Sequence, residues 1–344
     1  MAQVLITGAS GLIGSHIAEY FSGEGIDVTA LARRESNTDF LKSIGVKIIY
    51  GDITDTEMLY DLFDGGYDFV IHTAAKVSDL GEYDDFYLTN VTGTLNVLKA
   101  AHKNNIENVI VTGSISCFGE EHSEKIKDET SGYNPHYPYF LDKIFPSPFN
   151  YYRDSKVEAC IKAIEFAEAY SLSLAVIHPG WVYGEREFHS GFYDYLMTVK
   201  SGIPAVPGSR RNKFHSVYAR DLARMYYEIF RMKPSGINEY LAVSPVAEYQ
   251  YRLLDKLCEK AGLRIPFRLP KWFIYPPALI TELIYALFRI NSAPPISRSR
   301  VNIFYDNIEY SAEKLIKETG FRLAYTFEES VENTIKWYKT NNYL

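Results

Sequence analysis

The chain has 344 residues, 47% of them hydrophobic and 23% charged, enough for one large α/β unit with a smaller lobe or for two domains. A net charge of −7 without a long basic run excludes nucleic acid as a partner. Cys117, Cys160 and Cys258 are odd in number and far apart in the sequence. That pattern argues against a disulfide framework and a metal cluster, and for a reducing, cytoplasmic setting. The first strand starts by Ala2, which predicts no signal or transit peptide. Aromatic residues reach 15%, with 28 Tyr and 20 Phe. They suit either a bulky core or an aromatic-walled pocket, and composition does not choose between these.

Residues 2–7 form an apolar run that ends in a glycine turn, and residues 11–22 then read as a helix. Further strands are predicted at 26–31, 46–50, 69–72, 109–112 and 174–178, with helical patterns at 55–63, 85–104 and 154–169. Strands alternating with helices predict βαβ units and a parallel, doubly wound sheet of Rossmann type, with ligand at the carboxyl ends of its strands. The rhythm breaks after Gly180. Segments 191–210 and 234–306 lack regular alternation, whereas 212–232 returns to a strand-then-helix pattern. Residues 1–180 therefore read as the dinucleotide-binding domain, joined by 212–232. Most of 181–344 reads as a smaller, discontinuous substrate lobe.

Two motifs carry the chemistry. In the first, Gly8, Gly11 and Gly14 lie between strand and helix in Thr7-Gly8-Ala9-Ser10-Gly11-Leu12-Ile13-Gly14. Such glycines permit a tight turn, the approach of a pyrophosphate and close helix–strand packing, with Ser10, Leu12 and Ile13 completing the cradle. The second is Tyr152-Arg153-Asp154-Ser155-Lys156. A free tyrosine has a pKa of about 10 and is a poor base near neutrality. Lys156, one helical turn on, supplies positive charge that favours the phenolate. Tyr152 is thus the candidate proton donor to a ketone, or base toward an alcohol, and Lys156 its partner. At the end of the second strand an alanine stands where an NAD-selective site carries an acid, and Arg33 and Arg34 follow it. A guanidinium fits a 2′-phosphate, so NADP(H) is favoured over NAD(H) through Arg33, with Arg34 read as solvated.

With these motifs in this order the chain resembles the extended short-chain dehydrogenase/reductases, nearest the dihydroflavonol reductase and 3β-hydroxysteroid dehydrogenase-like branch. The resemblance spans nearly the whole chain and implies further roles. Asp52 and Ile53 match the segment that contacts adenine, although Asp52 could instead cap the following helix. Thr73, Ala74 and Ala75 match the small-residue turn beside the cofactor, and His72 before them reads as a satisfied core histidine. Asn90 matches a position that holds backbone or water near the site. Ser114 matches the residue that hydrogen-bonds the reacting oxygen, with Ser116 as its local competitor. Pro179 and Val182 match the loop that reaches the nicotinamide. Two departures stand out: Gly113-Ser114 replaces the usual double serine, and His178 replaces the commoner arginine. The resemblance also implies a homodimer.

For the substrate, Val77, Ser114, Phe118 and Trp181 are the expected contacts, since each follows or belongs to a motif that reaches the nicotinamide. The expected chemistry is NADPH-dependent reduction of a bulky hydrophobic ketone such as a keto lipid, sphingoid-type or steroid-like molecule. A nucleotide-sugar epimerase or dehydratase would share the first 180 residues and need cations for a diphosphate, for which Arg210, Arg211 and Arg220 are candidates. A non-catalytic NADP(H) sensor usually loses Tyr or Lys of the pair, and both are present here. The apolar stretch 272–288 reads as a core helix of the lobe, a lid over a lipid-like substrate, or a helix peripheral to the inner face of a membrane. Pro276, Pro277, Glu282 and Arg289 argue against its spanning one.

Overall fold

The computed structural model describes residues 2–78, 80–119, 125–188, 191–290 and 292–344. Seven strands make the central sheet: β1 (Gln3–Thr7), β2 (Asp27–Ala32), β3 (Lys47–Tyr50), β4 (Phe69–His72), β5 (Asn108–Thr112), β6 (Ser173–Pro179) and β7 (Ile237–Ala242). Their order across the sheet is β7-β6-β5-β4-β1-β2-β3, and every pairing is parallel. Both faces are buried, which is why the strands are almost continuously apolar. Successive side chains serve opposite layers. Leu5, Val109, Val111, Leu174 and Val176 enter one core cluster, and Val4, Ile6, Ile110, Ala175 and Ile177 enter the other.

Six helices position the site: α1 (Leu12–Gly23), α2 (Thr56–Phe63), α3 (Gly93–Lys103), α4 (Pro148–Tyr170), α5 (Ala219–Met232) and α6 (Lys271–Leu287). Helix α4 starts six residues before the predicted position, with Pro148 in its first turn, where the missing N–H costs nothing. Tyr152 and Lys156 therefore both lie within its first three turns. Asp55 caps α2 by accepting from the Met58 N–H at 3.1 Å, so Asp52 is not the cap. Helix α5 packs on α1 through edge-on rings, Tyr227 lying 5.3 Å from both Tyr20 and Phe21. The return to the sheet also runs past residue 232, where the sequence pattern closes it. Strand β7 pairs with β6 from Ile237 to Ala242 and forms the sheet edge. Its mixed sequence, Ile-Asn-Glu-Tyr-Leu-Ala, is that of an edge strand, with burial only in its second half.

Short strand pairs tie the remaining C-terminal segments together, such as Trp181–Tyr183 with Ser216–Tyr218. Helix α6 is not a core helix: only Ala278 and Glu282 are buried along it. No helix among the described residues is long and apolar enough to cross a membrane.

Candidate active site

Strand register gathers the predicted cofactor segments. Thr7 lies opposite Leu31 and His72, Ala32 opposite Tyr50, and Thr112 opposite Ile177. The turns that follow these strands share one edge of the sheet, and the strand order reverses between β1 and β4, where a crevice opens. Gly8 has φ +70°, and a Cβ there would lie 2.6 Å from the Ala74 nitrogen. At Gly14 a Cβ would fall 2.4 Å from the Gly8 carbonyl oxygen and 2.8 Å from Thr73 Oγ1. Thr73 Oγ1 in turn donates to the Thr7 carbonyl at 2.7 Å. The first turn of α1 is thereby pressed onto the turn after β4. Gly11 is exposed at the amino end of α1, and no side chain caps that end. Its first N–H groups have no partner within the helix and point outward, which fits a pyrophosphate.

At the end of β2, Ala32 is buried and brings no acid. Arg33 is two-thirds exposed, with its Nε 3.2 Å from a Glu35 carboxylate oxygen. A 2′-phosphate would compete with Glu35 for this guanidinium. Asp52 Oδ1 accepts from the Thr54 N–H at 2.9 Å and from its hydroxyl at 2.8 Å, fixing the turn after β3. Ile53 is buried against Gly93, where a Cβ would meet the Ile53 side chain at 2.5 Å.

Burial governs the groups behind the site. His72 bonds Thr7 Oγ1 at 2.7 Å and Thr94 Oγ1 at 3.0 Å. Burial, with the charge of Lys156 adding to it, brings its pKa down to about 3, so the ring is a neutral structural element. Asn90 lies in a π-helical turn, Tyr87–Thr92. It accepts from the Lys76 N–H at 2.7 Å and donates to the Lys76 carbonyl at 3.1 Å and to Ser155 Oγ at 2.9 Å. One amide thus ties the chain after β4 to α4, which is the backbone-holding role.

Ser114 and Tyr152 line a common cavity, and Lys156 stands behind them, fully buried. Its Nζ donates to the Thr112 carbonyl at 2.5 Å. Burial holds its ammonium below the ordinary lysine range, opposed by the nearby Cys160 and Cys117 thiols. The Tyr152 ring leans on Phe149 at 5.6 Å. Ser116 Oγ donates to Ser114 Oγ at 2.7 Å, and the Ser116 N–H also points to that oxygen at 3.2 Å. Ser114 and Ser116 both line the cavity, with their hydroxyls joined to each other.

The two sequence departures are one structural feature. The fully buried His178 ring occupies the space a side chain at residue 113 would need: a Cβ on Gly113 would lie 2.4 Å from Nδ1 and 2.6 Å from Cε1. His178 Nε2 donates to Glu239 at 2.9 Å, and Nδ1 accepts from the Ser114 N–H at 3.2 Å. Glu239 also accepts from the Tyr133 hydroxyl. Burial raises the Glu239 carboxyl, but the bonds from His178 and Tyr133 outweigh it and hold it below its usual range. Glu239 lies on the unpredicted strand β7, so no sequence motif flagged it.

Two expectations need correction. Phe118 does not reach the cavity. The 3₁₀ turn Ile115–Phe118 rotates it into the core, where it meets His178 edge-on at 4.9 Å and Tyr133 at 5.2 Å. The cysteines, distant in sequence, are not all distant in space. Cys117 and Cys160 come together with His178, their ligand atoms within 4.8 Å of one another. The Cys117 hydrogen bond pulls the Cys160 thiol down, with His178 and Lys156 helping against burial, while burial pushes Cys117 up. Both His178 nitrogens are committed to Ser114 and Glu239, so the ring already has its partners.

The cavity measures about 580 Å³. Val77, Ser114 and Trp181 line it, as expected, and so do Ile13, Pro179 and Val182 from the cofactor set. The cavity is therefore continuous with the cofactor crevice. Phe192, Phe214, Leu254, Ile274 and Phe304 also line it, from segments that no sequence motif marks. Phe149 was findable, one turn before Tyr152 on the same helix. Arg210, Arg211 and Arg220 do not line the cavity. Arg220 pairs instead with Glu185 at 2.8 Å, and the arginine on the wall is Arg300.

A pyrophosphate cradle at a topological switch point beside a Ser-Tyr-Lys group defines an enzyme of nicotinamide-dependent hydride chemistry. The chain belongs to the NAD dependent epimerase/dehydratase family, whose profile matches residues 4–240, within the extended short-chain dehydrogenase/reductases. It is 26% identical over 342 residues to N-acetyl-alpha-D-glucosaminyl-diphospho-ditrans,octacis-undecaprenol 4-epimerase of Escherichia coli O157:H7, covering 97% of this chain and 95% of that one. It is 28% identical over 314 residues to 2-alkyl-3-oxoalkanoate reductase of Shewanella oneidensis, covering 87% and 76%. Among solved structures, a UDP-glucose 4-epimerase from Thermotoga maritima superposes with a TM-score of 0.78 at 19% identity, over 99% of each chain.

Proposed function

We propose that the protein is an NADPH-dependent reductase, reversible as a dehydrogenase, of a ketone or secondary alcohol on a bulky apolar substrate. The observation that carries this reading is the cavity beside Tyr152 and Ser114. Its volume suits a drug-sized or lipid-sized molecule, and its walls are mainly aromatic and aliphatic. A dinucleotide held by the Gly8–Gly14 turn would supply hydride donation or acceptance at its nicotinamide ring. The protein's own groups do the rest. Ser114 donates a hydrogen bond to the substrate oxygen, and Tyr152 gives that oxygen a proton as negative charge develops on it. Solvent restores the phenol afterwards. Lys156, one turn on and buried, stabilises the transient phenolate. Proton transfer of this kind contributes roughly 10²–10⁴-fold to rate.

The reductase relative, whose name specifies an alkyl-bearing oxoalkanoate, supports the apolar ketone. The epimerase relative supports a second reading, a 4-epimerase of a lipid-linked sugar diphosphate, in which Arg300 would be the anion contact. A series of keto substrates of increasing chain length separates them. Each methylene buried in the cavity is worth about 0.8 kcal/mol, so kcat/KM should climb with length until the cavity is filled. A flat series, with turnover of a UDP-, GDP- or polyprenyl-linked sugar, would replace the reductase reading with the epimerase one.

The cofactor preference has its own test. Arg33→Ala should weaken NADP(H) binding by about 1.5–3 kcal/mol, the scale of a charge-assisted hydrogen bond, and leave NAD(H) nearly unchanged. Isothermal titration with both dinucleotides checks it, and equal losses would remove Arg33 from the 2′-phosphate.

A further inference from the structure

The outward side of α6 has the wrong chemistry for water. Phe273, Pro276, Pro277, Ile280, Leu283, Ile284 and Leu287 recur at helical spacing on its exposed stripe, and Trp272 and Phe288 extend it at either end. Trp272 is 76% exposed and Leu287 77%. The helix has one acid, Glu282, and it is turned inward. Glu282 accepts from the Arg298 backbone N–H at 2.6 Å and from Arg298 Nε at 2.5 Å. The same guanidinium donates to the carbonyls of Phe140 at 2.5 Å and Phe145 at 2.8 Å. This buried clamp fastens the 140–145 turn to the helix. Phe140 and Ile144 on that turn are also exposed, Ile144 by 83%. Helix and turn therefore present one apolar surface, larger than scattered exposed side chains would produce.

Charge identifies what the surface meets. Residues 261–300 carry six cations against Glu282 alone in a chain of net −7; Arg298 is buried on Glu282 and Arg268 is paired with Asp255, which leaves Arg264 and Arg289 exposed and Lys271 partly exposed. Lys271 and Arg289 flank the apolar stripe at its two ends, and Lys143 sits beside Ile144. A second copy of the chain docking through this face would oppose like charge to like charge, because a two-fold interface pairs a patch with itself. An acidic soluble partner would leave the apolar stripe unmatched. An anionic bilayer matches both features, with the stripe in the acyl boundary and the cations at the headgroups.

We propose that α6 and the 140–145 turn dock the enzyme on an anionic membrane surface, with the cavity mouth toward the bilayer. The cavity lining supports that orientation. Ile274, on the same turn as the exposed Trp272 and Phe273, lines the cavity, as do Pro295 and Ile296 just past the helix. An apolar chain could pass from lipid to the nicotinamide side without crossing water. The direction of the mouth rests on the apolar-substrate reading, whereas the docking itself does not.

Sedimentation with vesicles, without substrate, tests the docking. The protein should pellet with phosphatidylcholine vesicles containing phosphatidylglycerol, weakly with phosphatidylcholine alone, and less as salt rises. Replacing Ile144, Leu287 and Phe288 together by Ser should lower the partition coefficient about tenfold or more while NADP(H) affinity stays unchanged. That unchanged affinity also shows the variant to be folded. Protein that stays in the supernatant with anionic vesicles would overturn the proposal. So would a concentration-dependent dimer that the same three substitutions abolish. Failure of the chain-length series would leave vesicle binding intact, so the two readings fail separately.

Discussion

Tyr152→Phe should abolish turnover while leaving dinucleotide affinity within a few-fold. The substitution removes one oxygen and keeps the ring that leans on Phe149 at 5.6 Å, so the cavity wall survives. Only the proton-transfer step loses a partner, and the loss should appear in kcat rather than in binding. The expected fall is about 10²-fold or more, the lower end of general acid–base catalysis. A variant that keeps more than about a tenth of wild-type kcat would mean that another group delivers the proton. Lys156→Ala is a poorer test. It removes a fully buried side chain and leaves the Thr112 carbonyl without its donor at 2.5 Å, so stability and catalysis fall together.

The second large effect is expected at Gly113, a residue with no catalytic atom. A Cβ there would lie 2.4 Å from His178 Nδ1, and that ring has no room to yield. It is held by Glu239 through Nε2, by the Ser114 N–H through Nδ1 and edge-on by Phe118. Gly113→Ala should cost about 1–3 kcal/mol of stability through overpacking. It should also lower kcat, since the adjacent Ser114 must shift with the ring. His178→Ala opens the space but leaves Glu239 with the Tyr133 hydroxyl in place of two donors. If steric conflict is the cause, the double variant should lose less than the sum of the singles, with a coupling of about 0.5–3 kcal/mol in denaturant unfolding. Additive losses would mean that residue 113 and His178 do not compete for one space.

The βαβ half of the molecule was legible in the sequence for a physical reason. Strands buried on both faces write themselves as short apolar runs, and the glycines of the Gly8–Gly14 turn are fixed by backbone contacts a side chain would break. Tyr152 and Lys156 were legible because one helix carries both. Strand β7 was not, since an edge strand containing Asn238 and Glu239 lacks the signal of a buried one. Phe118 misled because its register after Ser114 is read along an extended chain, whereas a 3₁₀ turn intervenes. The Cys117–Cys160–His178 cluster and most of the cavity wall are tertiary juxtapositions between elements far apart in sequence, so spacing carries no trace of them. Gly113 and His178 looked like two independent departures, and only their contact shows that the His178 ring leaves no room for a side chain at 113.

If this site reduces an apolar ketone with net hydride transfer, the hydride can be followed as an isotope from cofactor to product. NADPH deuterated at the reactive C4 position would be supplied with a long-chain keto substrate, and the product analysed by mass spectrometry together with the amount of NADP+ formed. One deuterium should appear on the new carbinol carbon for each NADPH oxidised, and both signals should be lost in Tyr152→Phe. Contradiction would be a keto substrate recovered unlabelled and dinucleotide unchanged, while a sugar nucleotide or lipid-linked sugar is inverted at one carbon without net oxidation of the cofactor.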